Sequence, residues 1–162
     1  MSPTNFYADH SQAAFLNRAE HAVQALRLHV LVVDDVASMR RVMMGLIKEQ
    51  LDTLRLSEAA DGKNALQMIH KAHEDGVPVD IVITDWNMPV MDGMTLLRSI
   101  RNDLCFMSLP VLLVTAHATR DMILEAARAG ADGYIVKPFN AETLHSKIER
   151  IVAKRCAHAA TH

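Results

Sequence analysis

Five short aliphatic runs alternate along the chain with five longer segments of helical period. The runs span residues 29–33, 54–59, 81–84, 111–115 and 134–136. Four of them are apolar at nearly every position, which is typical of strands covered on both faces. The segments between them repeat apolar residues every three or four positions, as amphipathic helices do, over 38–50, 63–74, 93–101, 119–128 and 141–154. Strand–helix units of this spacing predict an α/β fold, a doubly wound five-stranded parallel sheet with five helices.

Proline and glycine residues mark the ends of these predicted elements. Pro78 and Pro110 stand just before the third and fourth runs, where a missing N–H group does not interrupt the sheet. Gly76 and Gly130 follow predicted helices, at the position where a left-handed C-cap favours glycine. The local signals therefore agree with the periodicity.

The size and composition of the chain exclude several classes of protein. With 162 residues, 50% of them hydrophobic and 22% charged, it can bury the core of one globular domain. Its 17 Lys and Arg against 19 Asp and Glu residues provide no basic excess for binding nucleic acid. No apolar run reaches the roughly 18 residues of a membrane span, and the N-terminus lacks the apolar region of a signal peptide. The two cysteines, Cys105 and Cys156, are too few for a disulfide framework or a zinc site, which fits the reducing cytoplasm.

Residues 1–27 form an extension ahead of the first predicted strand. A helix over 11–28 would carry on one stripe the apolar side chains of Phe15, Ala19, Ala22, Val23 and Leu26. The simpler interpretation is a helix that packs on its own domain, and the alternative is a dimerisation helix or a partner-binding arm. Residues 28–152 would form the domain, a monomer or a weak dimer through this helix, with a flexible tail over 153–162.

Polar residues mark the ends of four predicted strands. Asp34 and Asp35 follow the first strand, Asp85 the third and Lys137 the fifth, while the fourth ends in Thr115. If the first and third strands are neighbours, three carboxylates converge at one edge of the sheet. A divalent cation would relieve their repulsion, because three carboxylates, one such ion and Lys137 sum to zero charge. Oxygen ligands without His or Cys favour Mg²⁺, or Mn²⁺, over zinc.

A site of this composition suits phosphoryl transfer, which depends on positioning and on neutralising charge around phosphorus. Asp85 is the best candidate for a nucleophile that becomes an aspartyl phosphate, because Asp34 and Asp35 are paired as metal ligands. The chain contains neither a dinucleotide-binding nor a P-loop glycine motif, which argues against nucleotide chemistry.

Other residues that invite a functional interpretation have simpler explanations. His70 and His73 share a helical face but lack the third and fourth ligands of a zinc site, so solvent-exposed roles are expected. Arg40 and Arg41, near the start of the first helix, could meet an acidic partner or form a solvated face. Trp86 is expected near the site because it follows Asp85.

Five segments, in order and at matching spacing, resemble the receiver domain of two-component response regulators, and within that family the stand-alone chemotaxis, CheY-like receivers. They are VLVVDDVASMRR (30–41), EAADGKNAL (58–66), ITDWNMPVMDG (83–93), LPVLLVTA (109–116) and AGADGYIVKPF (129–139). The resemblance runs from about residue 28 to 152. It implies a flavodoxin-like sheet of strand order 2-1-3-4-5.

The resemblance also implies a role for individual residues. Asp85 would be the phosphoacceptor, and Mg²⁺ would be held by Asp34, Asp35, Asp85 and the backbone carbonyl of Asn87, with Asp35 a more direct ligand than Asp34. The phosphoryl oxygens would contact Thr115, Lys137 and the backbone amide of Ala116.

The same resemblance implies a conformational switch near the phosphoryl group. Thr115 would move toward that group and Tyr134 would turn inward, changing the surface of the fourth helix, fifth strand and fifth helix. Pro138 would follow Lys137 through a cis peptide bond. His117 stands where the family often has an acidic residue, close to the path of a hydrolytic water.

By the same resemblance, the chain is a signalling protein that catalyses only its own phosphorylation and dephosphorylation. A histidine kinase would supply the phosphoryl group, and the product would bind a downstream protein, such as a flagellar motor switch component in chemotaxis. About ten residues follow the receiver, so the output is expected from another protein. The alternative is a phosphorelay shuttle serving a histidine phosphotransfer domain. An aspartyl-phosphate hydrolase is disfavoured because Asn87 stands where such an enzyme needs an acid.

Overall fold

The computed structural model of the protein describes residues 28–50 and 55–159. Its strands are β1 (His29–Val33), β2 (Arg55–Ala59), β3 (Ile81–Asp85), β4 (Val111–Thr115) and β5 (Gly133–Val136). Its helices are α1 (Ala37–Gln50), α2 (Gly62–Glu74), α3 (Gly93–Asn102), α4 (Arg120–Ala129) and α5 (Ala141–Ala159). Each strand and helix predicted for the domain is present. The predicted N-terminal helix lies outside the described residues.

The five strands form one parallel sheet in the order β2-β1-β3-β4-β5. This confirms the doubly wound sheet and the strand order implied by the resemblance. From β1 the chain moves to β2 on one side, and from β3 it moves through β4 to β5 on the other. The carboxyl ends of β1 and β3 are therefore neighbours at the point of reversal, where open α/β sheets bind their ligands.

Alternate side chains of the central strands fill two apolar cores on opposite faces of the sheet. In β1, Leu31 and Val33 belong to the core shared with α2, α3 and α4. Val30 and Val32 belong to the core shared with α1 and α5. Because helices cover both faces, the central strands are apolar at nearly every position, which explains why they stand out in the sequence.

The observed helix boundaries follow from their caps. Asp61, Asp92 and Thr119 each accept a hydrogen bond from the backbone N–H three residues further along. The periodicity predicts Thr119 as the first residue of this helix, whereas in the structure Thr119 is the N-cap and α4 begins at Arg120. Gly130 ends α4 with a φ of 93°, the left-handed conformation expected of it.

The last helix is longer than its periodicity predicts. It ends at Ala159, beyond the predicted end at residue 154, so it continues into the predicted tail over 153–162. Alanine, lysine and arginine recur in this stretch, and no glycine or proline interrupts it. Neither α5 nor any other helix in the described ranges combines the length and the apolar character needed to cross a membrane.

Arg101, near the end of α3, connects two loops at the edge of the sheet away from the strands' carboxyl ends. Its Nη1 donates to the Leu109 carbonyl at 2.6 Å, and its Nε and Nη2 donate to the Gly130 carbonyl at 3.0 and 2.8 Å. Nη2 also lies 2.9 Å from Asp132 Oδ2, which accepts the N–H of Val111. One guanidinium group thus holds the segments that lead into β4 and β5.

Replacing Arg101 with methionine is expected to lower the free energy of unfolding by roughly 2 to 3 kcal/mol, because the hydrogen bonds to the Leu109 and Gly130 carbonyls all lose their donor. The ion pair itself adds little, since both side chains reach solvent. Urea unfolding would measure the loss. The control is Arg98→Met, which removes only an exposed pair with Glu125 and is expected to cost less than about 0.5 kcal/mol. Equal losses in the two variants would contradict this role for Arg101.

Candidate functional site

The carboxyl ends of the strands bring the predicted polar residues to one edge of the sheet. Backbone hydrogen bonds continue just past the strands and align these ends. Asp34 donates its N–H to the Ala59 carbonyl at 3.2 Å, and Lys137 donates its N–H to the Thr115 carbonyl at 2.8 Å. Asp85 is the last residue of β3. These backbone hydrogen bonds and the sheet itself therefore fix the main-chain positions of Asp34, Asp85 and Lys137.

Three carboxylates meet at this edge. One oxygen each from Asp34, Asp35 and Asp85 lies within 4.8 Å of the other two, and this is the one such group of possible metal ligands in the described ranges. Asp34 is almost fully buried, at 1% exposure, while Asp35 is exposed. The convergence that the strand order predicts is therefore present.

The ammonium group of Lys137 lies between two of these acids. Its Nζ is 3.5 Å from Asp34 Oδ2 and 3.5 Å from Asp85 Oδ1. The Lys137–Pro138 peptide bond is cis, as the resemblance implies. One ammonium against three carboxylates leaves the cluster with an excess of negative charge.

The pKa of Asp85 is raised from its ordinary value of 3.8. Burial of the carboxyl is the main cause, and the neighbouring Asp34 charge adds to it. The Lys137 ammonium and the Trp86 N–H, which donates to Asp85 Oδ1 at 3.0 Å, act in the opposite direction. The charged form of Asp85 is thus held in an environment that disfavours it.

The donor set fits a small divalent cation. Asp34 already accepts the Val36 N–H on Oδ1 at 2.8 Å and lies beside Lys137 on Oδ2, so its oxygens are partly engaged. Asp35 has no side-chain hydrogen bond or ion pair with any described residue and is open to solvent. An all-oxygen cluster with excess negative charge and an exposed side suits an ion that keeps several waters.

The hydroxyl group of Thr115 is buried and is hydrogen-bonded within the loop that follows β4. Its Oγ1 donates to the His117 carbonyl at 2.8 Å, and the His117 N–H lies 3.3 Å from the same oxygen. Ala116 and His117 are exposed, as is Asn87 in the loop after β3. Thr115 therefore holds the β4–α4 loop in this conformation.

Tyr134 lies outside the acidic cluster. It is half-buried on β5 and packs against the core on the α4 side of the sheet. The Nζ of Lys147, from α5, lies 5.6 Å from the centre of its ring. The structure thus brings together the three acids and Lys137, while Thr115 and Tyr134 stand nearby with other contacts.

Gly93 lets the loop after β3 close against Asp85. Its N–H donates to the Trp86 carbonyl at 2.9 Å. A Cβ atom added at this position would lie 2.3 Å from the Asp85 carbonyl oxygen, far inside van der Waals contact. A side chain at residue 93 would therefore displace the backbone that carries Asp85.

The Gly93→Ala variant is expected to lose about 2 kcal/mol of stability, because the clash is with backbone that has little room to move. The matched control is Gly45→Ala in α1, where an added Cβ meets nothing within 4 Å. That change is expected to add about 0.5 to 1 kcal/mol, since alanine favours a helix interior. Urea unfolding of both variants gives the comparison. A change of the same sign in the free energy of unfolding of both variants would show that an added Cβ at residue 93 does not clash with the Asp85 backbone.

The contacts of Arg40, next to the site, and of two histidines elsewhere in the domain are not identified by the sequence patterns. Arg40, which the sequence places on a partner-facing or solvated face, is largely buried and donates to the Asp34 carbonyl and to Glu58. His70 and His73 are exposed, as predicted, and their rings in addition pack edge-on against the ring of Phe106. In both cases the partner is distant in sequence, so local periodicity carries no sign of it.

Residues 30–149 match the family described as response regulator receiver domain. Chemotaxis protein CheY of Pseudomonas aeruginosa is 48% identical over 124 residues, which are 76% of this chain and 95% of that protein. Chemotaxis protein CheY-3 of Vibrio cholerae is 45% identical over 130 residues, 80% of this chain and 95% of that protein.

Solved structures share the fold. Chemotaxis protein CheY4 of Vibrio cholerae matches with a TM-score of 0.69 and 33% identity, covering 77% of this chain and 98% of that one. A response regulator receiver domain protein from Clostridium thermocellum matches with a TM-score of 0.69 and 26% identity, covering 80% and 98%. With its strand order, its acidic cluster and these relatives, the chain belongs to the response regulator receiver domain family.

Proposed function

We propose that this protein is a response regulator that accepts a phosphoryl group on the side chain of Asp85. The observation that carries the proposal is the position of Asp85, which has a carboxylate oxygen within 4.8 Å of two further carboxylates and lies 3.5 Å from the ammonium group of Lys137. A histidine kinase is the donor. The group is transferred from a phosphohistidine, which needs no nucleotide site on this chain.

The two oxygens of Asp85 have different surroundings. Oδ1 accepts the Trp86 N–H and faces Lys137, whereas Oδ2 has no hydrogen-bond partner among the described residues. We assign Oδ2 as the nucleophile. It forms the new O–P bond while the N–P bond of the phosphohistidine breaks, and the electron pair returns to the imidazole nitrogen, which takes a proton from solvent.

The acids would hold Mg²⁺, with Mn²⁺ as the alternative, through Asp34, Asp35, Asp85 and the backbone carbonyl of Asn87. The ion supplies positive charge for the phosphoryl oxygens when bound. Lys137 contributes a second positive charge beside Asp85, where a phosphoryl oxygen can accept its N–H. The charges of three carboxylates, a divalent ion and one ammonium group then sum to zero.

Phosphorylation adds charge and acceptor oxygens at the end of β3, next to β4. The Thr115 hydroxyl would leave the His117 carbonyl and donate to the new group, and the Ala116 amide would donate beside it. The β4–α4 loop would move with Thr115, which frees space for Tyr134 to turn inward. A downstream protein would recognise this changed surface.

The relatives named as chemotaxis proteins support chemotaxis signalling as the biological setting, which we place in the cytoplasm. The partner would then be a component of the flagellar motor switch. A phosphorelay shuttle would instead hand its phosphoryl group to a histidine phosphotransfer domain. Binding of the phosphorylated form to a motor-switch peptide, without loss of the phosphoryl group, supports the first; transfer to a phosphotransfer domain supports the second.

The direct test is incubation with acetyl phosphate and Mg²⁺, followed by intact-mass measurement and peptide mapping. We expect one added phosphoryl group on the peptide that contains Asp85, its removal by hydroxylamine as for any acyl phosphate, and no addition when EDTA is present. Addition at another residue, or addition that is independent of metal, would contradict the proposal. Many turnovers of a simple phosphate ester per chain would instead support a hydrolase.

A further inference from the structure

The guanidinium group of Arg40 lies against the backbone that carries the acidic cluster. Arg40 belongs to the first turns of α1, and its side chain is 14% exposed. Its Nη1 donates to the Asp34 carbonyl at 2.6 Å, and its Nε donates to Glu58 Oε2 at 3.0 Å. A charged group buried to this extent is stable only with such partners. Arg40 therefore joins the ends of β1 and β2 through one rigid group.

The Asp34 carbonyl is part of the peptide bond that leads to Asp35. On its other side, Asp34 is fixed by its N–H bond to Ala59 and by its side-chain contacts with Val36 and Lys137. Asp35 has no comparable anchor, because its carboxylate is exposed and is bound by none of the described residues. The position of that carboxylate thus depends on the backbone before it, and Arg40 holds that backbone.

We propose that Arg40 is a positioning residue that sets the cation affinity of the acidic cluster by orienting the Asp34–Asp35 peptide. The proposal rests on the metal binding described under the proposed function. Glu58 completes the arrangement, because it holds the guanidinium from the β2 side while Nη1 reaches Asp34. Two donors that diverge from one planar group are available to arginine and not to lysine.

The sign of the effect separates positioning from simple electrostatics. A positive charge beside a cation site opposes cation binding, so loss of the Arg40 charge alone would strengthen binding of Mg²⁺. Loss of the hydrogen bond to Asp34 would instead leave Asp35 free to move away from the other two acids. That change weakens binding, and groups that orient metal ligands typically alter metal affinity about 10- to 100-fold.

The test is a Mg²⁺ titration of metal-free protein, followed by the fluorescence of Trp86, whose backbone contacts Asp85. Arg40→Gln is expected to raise the Mg²⁺ dissociation constant by about tenfold or more. The matched control, Arg98→Gln, removes the same charge from an exposed pair on α3 and is expected to leave the constant within about twofold. Affinity in Arg40→Gln equal to or higher than in the wild type would overturn the proposal.

Two further variants test the hydrogen bonds themselves. Glu58→Gln keeps an oxygen acceptor for Nε and is expected to weaken Mg²⁺ binding less than Arg40→Gln does. Arg40→Lys keeps the positive charge, and the variant is expected to remain folded. It should still weaken Mg²⁺ binding, because one lysine ammonium cannot donate to both the Asp34 carbonyl and Glu58 as the guanidinium does. Wild-type affinity in Arg40→Lys would show that the two diverging hydrogen bonds of the guanidinium are not needed for Mg²⁺ binding, and would overturn the proposal.

Hydrogen exchange of metal-free protein gives a readout that needs no metal. We expect faster exchange at the Val36 amide, which donates to Asp34 Oδ1, in Arg40→Gln, with unchanged exchange in the central strands. Unchanged exchange at Val36 would overturn the positioning role even if Mg²⁺ affinity fell. If the wild type binds Mg²⁺ but is not phosphorylated, the proposed function fails while the role of Arg40 is still decided by these measurements.

Discussion

Asp85→Asn is expected to abolish phosphorylation by acetyl phosphate and, at the same time, to stabilise the metal-free protein at neutral pH. The first effect follows because an amide does not provide the carboxylate nucleophile. The second follows from the raised pKa of Asp85, which burial and the nearby Asp34 charge cause. Neutral asparagine occupies the same place without a charge that the folded state disfavours. We expect a gain of about 1 kcal/mol in EDTA, within the range of ordinary single substitutions.

The gain from Asp85→Asn has a definite pH dependence. Below the ordinary pKa of 3.8, the carboxyl is protonated in both the folded and the unfolded wild-type protein, so its ionisation contributes nothing to the difference between the two proteins. As the pH rises through the higher folded-state pKa, the unfolded state ionises first and the wild type loses stability relative to the variant. The advantage of Asp85→Asn therefore grows from acid to neutral pH and is constant above the folded-state value.

Urea unfolding at several pH values in EDTA, together with intact mass after acetyl phosphate treatment, measures both effects. The matched control is Asp121→Asn, which makes the same chemical change at an exposed position on α4. It should be phosphorylated like the wild type and show little pH-dependent gain. A phosphorylated Asp85→Asn protein, or a gain that shrinks with rising pH, would show that Asp85 does not have the assigned role or environment.

The fold could be predicted because most of its information is local. β1, β3 and β4 are buried on both faces, so each is a short apolar run, and helices of amphipathic period separate them. The acids could be predicted for the same reason, since each directly follows or ends one of those runs. Their convergence needed one further fact, the adjacency of β1 and β3, which came from the resemblance and not from periodicity.

The features that escaped prediction depend on contacts between distant residues. His29 begins β1 and is buried, with its ring nitrogens 3.0 Å from the Val77 carbonyl and 2.7 Å from Ser57 Oγ. Arg40 finds its partners on β1 and β2 in the same way. Val90 has a φ of 69°, which a β-branched residue rarely adopts, so its identity gives no sign of the turn it occupies. Side-chain pairing of this kind is decided by the assembled fold.

Lys137→Met is expected to slow phosphorylation by acetyl phosphate about 100-fold, the scale on which loss of one charge-stabilising donor acts. The Lys137 ammonium lies 3.5 Å from both Asp34 and Asp85 and is 20% exposed, so its field is only partly screened. Without it, the phosphoryl group arrives at a cluster with one more uncompensated negative charge. The acceptor itself remains, so the reaction should be slowed and should still end on Asp85.

The same substitution should destabilise the metal-free protein at neutral pH by about 2 kcal/mol, less than the loss of a partner from a fully buried pair because Lys137 reaches solvent. Removing the ammonium takes away the main influence that lowers the pKa of Asp85, so its charged form becomes still less favourable. The loss should shrink as acid protonates the carboxylates, and Mg²⁺ should offset part of it. Lys71→Met, which removes an equally charged but exposed side chain paired with Asp75, is the control for net charge. Equal rates and stabilities in Lys137→Met and Lys71→Met would mean that the ammonium between Asp34 and Asp85 contributes no more than a surface charge.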